Sequence, residues 1–470
     1  MKHFDVLVLG AGSAGELIAT TLAKAGRSVA LVESLRVGGE CAYVSCMPSK
    51  AMLRSAQVRK MAGDIVPLGA ARHSVDLGED FDAFRWAAIR RDGIAEYRID
   101  EEAADRARKL GVELFRGKGK FTGVDQLLVN SDELTWTDLV ISTGSTSTIP
   151  DIDGLSEIDF WTSDEALSAP ESPASVLIVG GGPVGCELAQ IFSRFGTKTT
   201  IVQFSEQLAD KEHPDIASRL TENLRSEGVD ILLNTNVLKV QTSAEKMTLV
   251  QLSNGSAVLV ERVIIAAGRH PSTSELNLGA LGIQVNERGA LEIDATCRVA
   301  GQEHVWAAGD VTGIAPFTHT ANYQGRLVVD NLLGGQNVAN YDAIPRAIYT
   351  DPPVASVGIM HDENKEDGLI SARVELSQLS RNSTDGGSGG LLILSADRVK
   401  GVLVGAAAIG PHADEWLAQA TIAIRAQVPL SVLCDVVHAF PTYGEAFGQP
   451  LRELLTQLSR GMVASSNLTP

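Results

Sequence analysis

A chain of 470 residues exceeds what one hydrophobic core organises, so two to four domains are expected. Its composition, 44% hydrophobic and 21% charged, is that of an ordinary globular protein. A net charge of −18 argues against the basic face that a nucleic-acid binder or a membrane-surface protein needs, and its plain consequence is solubility. Residues 1–15, MKHFDVLVLGAGSAG, do not read as a signal peptide, and no window of about 18 apolar residues reads as a membrane span. Five cysteines do not read as a secreted disulfide framework. The expected compartment is the cytoplasm, where a persistent disulfide is catalytic rather than structural.

The apolar run FDVLVL, residues 4–9, predicts a buried parallel strand. Gly10-Ala-Gly12-Ser-Ala-Gly15 follows, then a helical stretch through Ala25 and a second strand, SVALVE, ending at Glu33. In that strand–GxGxxG–helix–strand context the glycines mark a dinucleotide site. Gly10 permits the tight turn, Gly12 lets backbone approach a pyrophosphate, and Gly15 lets helix pack on strand. The pyrophosphate is expected on the helix N-terminus, with Glu33 accepting hydrogen bonds from a ribose. The pattern recurs: SVLIV leads into Gly180-Gly-Gly182-Pro-Val-Gly185, then a helix, then TKTTIVQ ending at Gln203. Glu33 follows Gly15 by 18 residues and Gln203 follows Gly185 by 18. Gln203 offers neither an acid for a free ribose nor a cation for a 2′-phosphate, which leaves NADH and NADPH open. Two dinucleotide sites on one chain imply a flavin and a nicotinamide.

Between the two loops lies GGECAYVSCMPSKAML, residues 38–53, with Cys41 and Cys46 five positions apart. A zinc site usually takes CxxC pairs and about four ligands, and no second Cys/His cluster accompanies this CxxxxC, so no metal is expected. Cys186, Cys297 and Cys434 stand alone and read as buried small hydrophobes. Core filler remains an alternative for Cys41 and Cys46, although Gly38-Gly39 and Pro48 mark a specialised backbone. Residues 47–52 read as a helix start. That puts Cys46 near a helix N-terminus, where the dipole favours thiolate, with Lys50 adding positive charge one turn in.

GGECAYVSCMPSK resembles the redox-disulfide motif of the pyridine nucleotide–disulfide oxidoreductases, the family of lipoamide dehydrogenase, glutathione reductase and mercuric reductase. The resemblance extends along the chain. Val140-Ile-Ser-Thr-Gly-Ser145, with Pro150 and Gly154, resembles the segment joining flavin and nicotinamide domains. Thr162-Ser-Asp164 precedes the second glycine loop as in the family. Gly268-Arg-His-Pro271 is similar to the family's GRxPN, with Ser272 in place of Asn. Ala308-Gly309-Asp310 resembles the second flavin signature, and Tyr349-Thr-Asp-Pro352 with Ala355-Ser-Val-Gly358 resembles the start of the dimerisation domain.

The resemblance implies an α/β fold of two Rossmann-like domains plus a C-terminal α+β dimerisation domain. It implies an FAD-binding domain over residues 1–147 and 271–340, an NAD(P)-binding domain over 148–270, and a dimerisation domain over 341–470. It also implies a homodimer that completes each site from the neighbouring chain. Cys46 is implied as the thiol nearer the flavin and Cys41 as the interchange thiol that meets the acceptor. Lys50 is implied to sit near flavin N5 and to pair with Glu187. The implied cofactor contacts are Gly10, Gly12, Ser13, Ala14, Gly15, Glu33, Ser34, Gly39, Cys41, Lys50, Thr143, Gly144, Gly309 and Asp310 for FAD. For NAD(P)H they are Gly180, Gly182, Pro183, Val184, Gly185, Gln203, Gly268 and Arg269. Phe317-Thr318-His319 is expected to start a helix aimed at the flavin, its dipole favourable there, with His319 a local cap or core residue.

The chain also departs from the family. The family's C-terminal H-x-H-P-T-x-x-E appears here as His438-Ala-Phe440-Pro-Thr-Tyr443-Gly-Glu445. Phe440 takes the place of the histidine that acts as general acid–base across the dimer, and Glu445 is left without that partner. His438, on a strand, would point the same way as Phe440, one step removed; Tyr443 is the other candidate substitute. In the redox loop, Glu40 is expected to raise the Cys41 pKa, and Glu40 and Tyr43 together to alter the substrate face. The tail SSNLTP lacks the cysteine pair of mercuric reductases, which argues against mercury. In the C-terminal part, LLILSAD and KGVLVGAAAIG read as strands, residues 414–426 as helix, and DGGSGG as a turn or loose loop.

The first reading is an FAD enzyme that moves hydride from NAD(P)H and electrons through Cys41–Cys46 to a small-molecule acceptor, for which a small disulfide is one candidate. The second sends electrons straight from flavin to a quinone or a metal ion. The third is a flavin-bound redox sensor without turnover.

Overall fold

Burial along the first strand, Lys2–Leu9, is nearly continuous from Phe4 onward, as suits the middle of a parallel sheet covered on both faces. The computed structural model describes residues 1–243, 247–359 and 368–466, with side chains to residue 459. The end of the SSNLTP tail, residues 467–470, lies outside the described residues. The first strand pairs in parallel with Val29–Glu33 on one side and Asp132–Ile141 on the other. Val112–Arg116 extends the sheet at one edge, and Val305–Ala307 joins Asp132–Ile141 in parallel from far along the chain. A meander, Gly119–Gly123 and Gln126–Val129, completes the seven strands.

A second sheet repeats the arrangement with four parallel strands: Asp230–Leu232, Lys198–Val202, Ser175–Val179 and Arg262–Ile265. Gln203 lies one residue past its strand instead of closing it. The helices Ser13–Lys24 and Pro183–Arg194 follow the two glycine loops. Both loops therefore sit at the carboxyl ends of parallel strands, where doubly wound sheets bind ligands. A two-stranded ribbon, Ser145–Ser147 against Arg269–Pro271, ties together the two segments that link the sheets.

The C-terminal part is a five-stranded antiparallel sheet, with Val402–Ile409 between Val354–Gly358 and Leu391–Asp397. The long helix Gly448–Ser466 packs on it through Leu451, Leu454 and Leu458. The helical stretch expected over residues 414–426 divides at Leu417 into Ala413–Trp416 and Ala418–Arg425. Residues 435–441 run as irregular chain and not as a strand, so the strand alternation considered for His438 and Phe440 does not apply.

One buried cluster positions the site. Met52, Leu53 and Ala56 of the helix Cys46–Gly63 pack with Ala189 and Phe192 of Pro183–Arg194, and with Ile348 and Val354 of the C-terminal sheet. The helix that begins with Cys46 is thereby fixed against both other parts of the molecule.

Candidate active site

Each glycine loop solves the same steric problem. Gly10 and Gly180 adopt φ of +100° and +110°, a left-handed conformation that favours glycine. A Cβ on Gly15 would stand 1.8 Å from the Gly10 carbonyl oxygen, and one on Gly185 would stand 2.0 Å from that of Gly180. Helix and strand can approach only because neither carries a side chain. Gly12 and Gly182 differ: a Cβ there meets nothing within 4 Å and would project into open space. That space is part of a continuous cavity of about 2990 Å³ that reaches both loops, Cys41 and Cys46. Sites for one drug-sized ligand measure about 300–1,000 Å³, so the cavity has room for two dinucleotides.

Glu33, which closes its strand, and Gln203, one residue past its own, each brace a glycine loop. The Glu33 carboxylate accepts the Ala11 N–H at 2.7 Å and the Leu35 N–H at 2.6 Å. The Gln203 Oε1 accepts the Gly181 N–H at 2.8 Å. Ser13 and Ala14 open the first helix, Pro183 and Val184 the second, and Ser34 lines the cavity. Across the cavity Asp310 accepts the Ser145 hydroxyl at 2.6 Å, and the Thr143 hydroxyl reaches the Ser272 carbonyl at 2.8 Å. The Ser272 N–H returns to the Gly144 carbonyl. The buried Gln324 holds the Gly309 N–H at 2.7 Å, a support with no signal in the sequence. Glycine cradles open to the cavity, with carboxylates at Glu33 and Asp310, fit an FAD on the first loop and a nicotinamide dinucleotide on the second.

The thiols lie between these cradles. Cys46 is the first residue of the 18-residue helix Cys46–Gly63, as the sequence suggested, and its sulfur meets the helix dipole. Lys50, one turn on, donates to the Glu187 carboxylate at 2.8 and 3.1 Å. Glu187 is only 6% exposed and also accepts the Tyr349 N–H at 3.0 Å, while Lys50 lies 4.4 Å from the centre of the Tyr349 ring. Tyr349 marks the start of the C-terminal part in the sequence, where nothing signals this contact with Lys50 and Glu187. The Thr318 hydroxyl, at the start of the helix Thr318–Leu332, stands 3.2 Å from the Cys41 sulfur and 3.6 Å from that of Cys46. Phe317 stacks on His319, whose Nε2 contacts the Pro345 carbonyl at 2.9 Å.

The two thiols are unlike. A hydrogen bond from Cys41, and after it the Thr318 hydroxyl and the Lys50 charge, lower Cys46 to about 6 against the opposing effect of burial. The same sulfur–sulfur hydrogen bond, followed by burial, pushes Cys41 far above the ordinary thiol value. Glu40 is not the cause. Its carboxylate is turned to Arg269 at 2.6 Å, and Arg269 is anchored in turn on Ser145. Tyr43 is buried beside Gly38 and does not face a substrate. In reduced protein the alkylation rate of Cys46 is expected to rise with pH about a midpoint near 6, with Cys41 remaining slow well above neutrality. Mass spectrometry of iodoacetamide-treated protein between pH 4 and 9 checks this. A shared midpoint near the ordinary thiol value of about 8.5 would contradict the asymmetry.

The C-terminal candidates do not come to these sulfurs within one chain. Glu445 accepts the Thr442 N–H at 3.0 Å, closing a capping box that holds the turn Tyr443–Phe447. Tyr443 is buried in the core of the C-terminal sheet, and burial pushes its phenol up to about 12, which removes it as a substitute acid–base. His438 lies beside that turn, its Nδ1 3.6 Å from where a Cβ on Gly444 would be. Phe440 is 73% exposed.

Comparison with known proteins gives this architecture a place. Residues 4–325 match the model of the pyridine nucleotide-disulphide oxidoreductases, and residues 344–451 match that family's dimerisation domain. The chain belongs to this family. Pyridine nucleotide–disulfide oxidoreductases use FAD and NAD(P)H, and the protein is an oxidoreductase of that type. Among relatives, it is 31% identical to a mercuric reductase of Streptomyces lividans, with 94% of each chain covered. It is 29% identical to a dihydrolipoyl dehydrogenase of Geobacillus stearothermophilus, again over 94% of each. Among solved structures, the HOCl-induced flavoprotein disulfide reductase RclA of Escherichia coli superposes with a TM-score of 0.84 at 26% identity, covering 95% of this chain and 99% of that one. A Cu(II) complex of the same reductase is similar at 27% identity. Among the described residues no helix is long and apolar enough to cross a membrane.

Proposed function

We propose that this family member is an NAD(P)H-dependent flavoprotein reductase that delivers electrons through Cys41 and Cys46 to a thiol-binding metal ion such as Cu(II). The observation that carries the reading is the unlike thiol pair, with one sulfur charged near neutral pH, set in the cavity that both glycine loops share. Gly12 and Glu33 would hold the pyrophosphate and ribose of an FAD, Asp310 its ribityl chain, and Gly182 the nicotinamide dinucleotide; the bound flavin would supply a hydride acceptor and a two-electron donor for the disulfide. Lys50, ion-paired with Glu187, places its amino group one turn along the helix from Cys46. Cys46 holds the thiolate and Cys41 meets the acceptor. Reoxidation forms the S–S bond, releases the single proton of Cys41, and passes two electrons to two Cu(II), giving two Cu(I).

The choice of acceptor rests on proton handling. A disulfide acceptor leaves as thiolates that must be protonated, work for which a positioned general acid is worth about 10²–10⁴-fold. Phe440, a hydrocarbon, takes the place of that acid in this chain, Glu445 is engaged at Thr442, and Tyr443 is buried. A metal ion takes electrons without a proton. Similarity to a mercuric reductase and to a flavoprotein disulfide reductase solved as a Cu(II) complex supports an acceptor of this class. The dimerisation-domain match supports a homodimer. The reading places the enzyme in the cytoplasm, where NAD(P)H is supplied. Gln203 carries no charge to select between NADH and NADPH, and both belong in the assay.

Anaerobic NAD(P)H oxidation with Cu(II), lipoamide, glutathione disulfide and a quinone tests the proposal, with Cu(I) trapped by a chelator. Cu(II) turnover is expected in the usual enzyme range of about 1 s⁻¹ or more, with both disulfides about 10²-fold slower. Disulfide turnover equal to that with Cu(II) would overturn the choice of acceptor. Quinone turnover alone would favour electrons leaving directly from the flavin, and no turnover with any acceptor would favour a sensor.

A further inference from the structure

The two cradles differ at the residue that braces each loop. Glu33 in the first is a carboxylate, an acceptor only, and beside its two backbone N–H groups it suits the hydroxyls of a free ribose. Gln203 stands at the corresponding place in the second, 3% exposed and lining the cavity. The Gly181 N–H can only donate, so it fixes the amide, with Oε1 turned to the loop at 2.8 Å. One of the two Nε2 hydrogens goes to the Ser205 hydroxyl, which in turn donates to the Gln207 carbonyl at 3.1 Å. The other is left to donate. Where the first cradle presents acceptors to a ribose edge, the second presents a donor.

A cation stands close by. Ala209 donates its N–H to the Gly181 carbonyl at 2.8 Å and adopts φ of +45°, a left-handed turn uncommon for alanine. That bond pins the chain against the same glycine that Gln203 holds. Lys211 follows two residues on, its Cα within about 7 Å of that of Ala209. It is exposed and lines the cavity, and among the described residues no ion pair ties it to a carboxylate. Two acids line the same stretch. Glu212 is held by Arg346 at 3.1 Å, and Asp210 has a short stem against the four-carbon reach of lysine.

We propose that this edge holds the 2′-phosphate of NADPH, Gln203 Nε2 donating to a phosphate oxygen and Lys211 supplying the opposite charge, so that NADPH is the preferred reductant. A 2′-phosphate presents negative charge and acceptor oxygens, and the edge complements both. NADH offers the same edge a neutral hydroxyl and gains less. An acid at position 203 would reverse the choice by repelling the phosphate. The assignment deepens the reading of the second loop as the nicotinamide cradle and does not depend on the electron acceptor.

Flavin-loaded wild-type protein, Q203E and K211M test it by two measurements that need no acceptor. The first is anaerobic flavin reduction by NADPH and by NADH. The second is calorimetric binding of adenosine 2′,5′-bisphosphate and of AMP. In the wild-type protein the 2′-phosphorylated member of each pair is expected to act at about ten- to a hundredfold lower concentration, the scale of a hydrogen bond to a charged group. Each variant is judged by the ratio within a pair, which a general loss of folding leaves alone. K211M, which keeps an unbranched stem, is expected to lower the ratio about tenfold, and Q203E to reverse it. A wild-type protein that takes NADH as well as NADPH or better, or either variant at the wild-type ratio, would overturn the proposal. Failure of all four nucleotides to bind would refute the second loop as the nicotinamide cradle and the proposal with it, a result distinct from a reversed preference.

Discussion

Cys41→Ser is expected to lower Cu(II) turnover by about 10³-fold or more, the scale on which loss of a covalent nucleophile acts, and Cys46→Ser by a similar amount. Neither variant can form the S–S bond on which the relay of electrons depends. Their remaining thiols are expected to move in opposite directions, which separates this outcome from simple misfolding. In Cys41→Ser, Cys46 loses the sulfur donor that contributes most to its low value, so its alkylation midpoint rises above about 6. In Cys46→Ser, Cys41 loses the largest cause of its elevation and becomes easier to alkylate near neutrality. Anaerobic titration with NADH, followed by absorbance, completes the comparison. The wild-type protein is expected to show a long-wavelength band on two-electron reduction, and each variant only loss of the flavin bands. A Cys41→Ser variant that reduces Cu(II) at the wild-type rate would show that electrons bypass the thiols.

Two single-methyl additions in the first glycine loop are expected to separate folding from cofactor binding. In Gly15→Ala the new Cβ would sit 1.8 Å from the Gly10 carbonyl oxygen and 2.6 Å from the Ser142 hydroxyl. The helix Ser13–Lys24 must then lift from the first strand, against a core that includes Ile18 and Leu22, both fully buried. Overpacking of this kind costs about 1–3 kcal/mol and occasionally more, and the backbone contact here puts the cost at about 3 kcal/mol. Gly15→Ala is expected to melt at lower temperature and to purify without flavin. Gly12→Ala meets nothing within 4 Å, so the apoprotein is expected to keep its stability. Its methyl group would occupy the space a pyrophosphate needs, and flavin binding is expected to fall steeply. Calorimetry of the apoproteins and flavin content after reconstitution check both. Equal effects of the two substitutions would contradict this division of labour.

Much of this was legible in the residues because it is local. The two glycine loops are set by backbone sterics within six positions, and the apolar runs beside them by burial in parallel strands. The start of a helix at Cys46 followed from Pro48 and the run after it. The partnership of Lys50 with Glu187 was implied by family resemblance, since 137 positions separate the two. Other expectations were local guesses that the folded chain reversed. Glu40 looked like a charge pressing on Cys41, yet it is drawn to Arg269, 229 positions later. Tyr43 looked like bulk on a substrate face and is buried. Tyr443 looked like a spare acid and lies in the C-terminal core, while Glu445 closes a cap.

The amino-acid sequence by itself determined that this protein has two glycine loops, each between a parallel strand and a helix, with a cysteine pair between them. Each of those features is a short-range pattern whose meaning does not depend on the rest of the chain. Only the tertiary structure decided how the pair is poised. Thr318 reaches the sulfurs from a helix more than 270 positions away, and Glu187 arrives from the helix after the second glycine loop. Thiol acidity depends on distance to donors and charges, and those distances are set by packing between segments that no spacing in the sequence records.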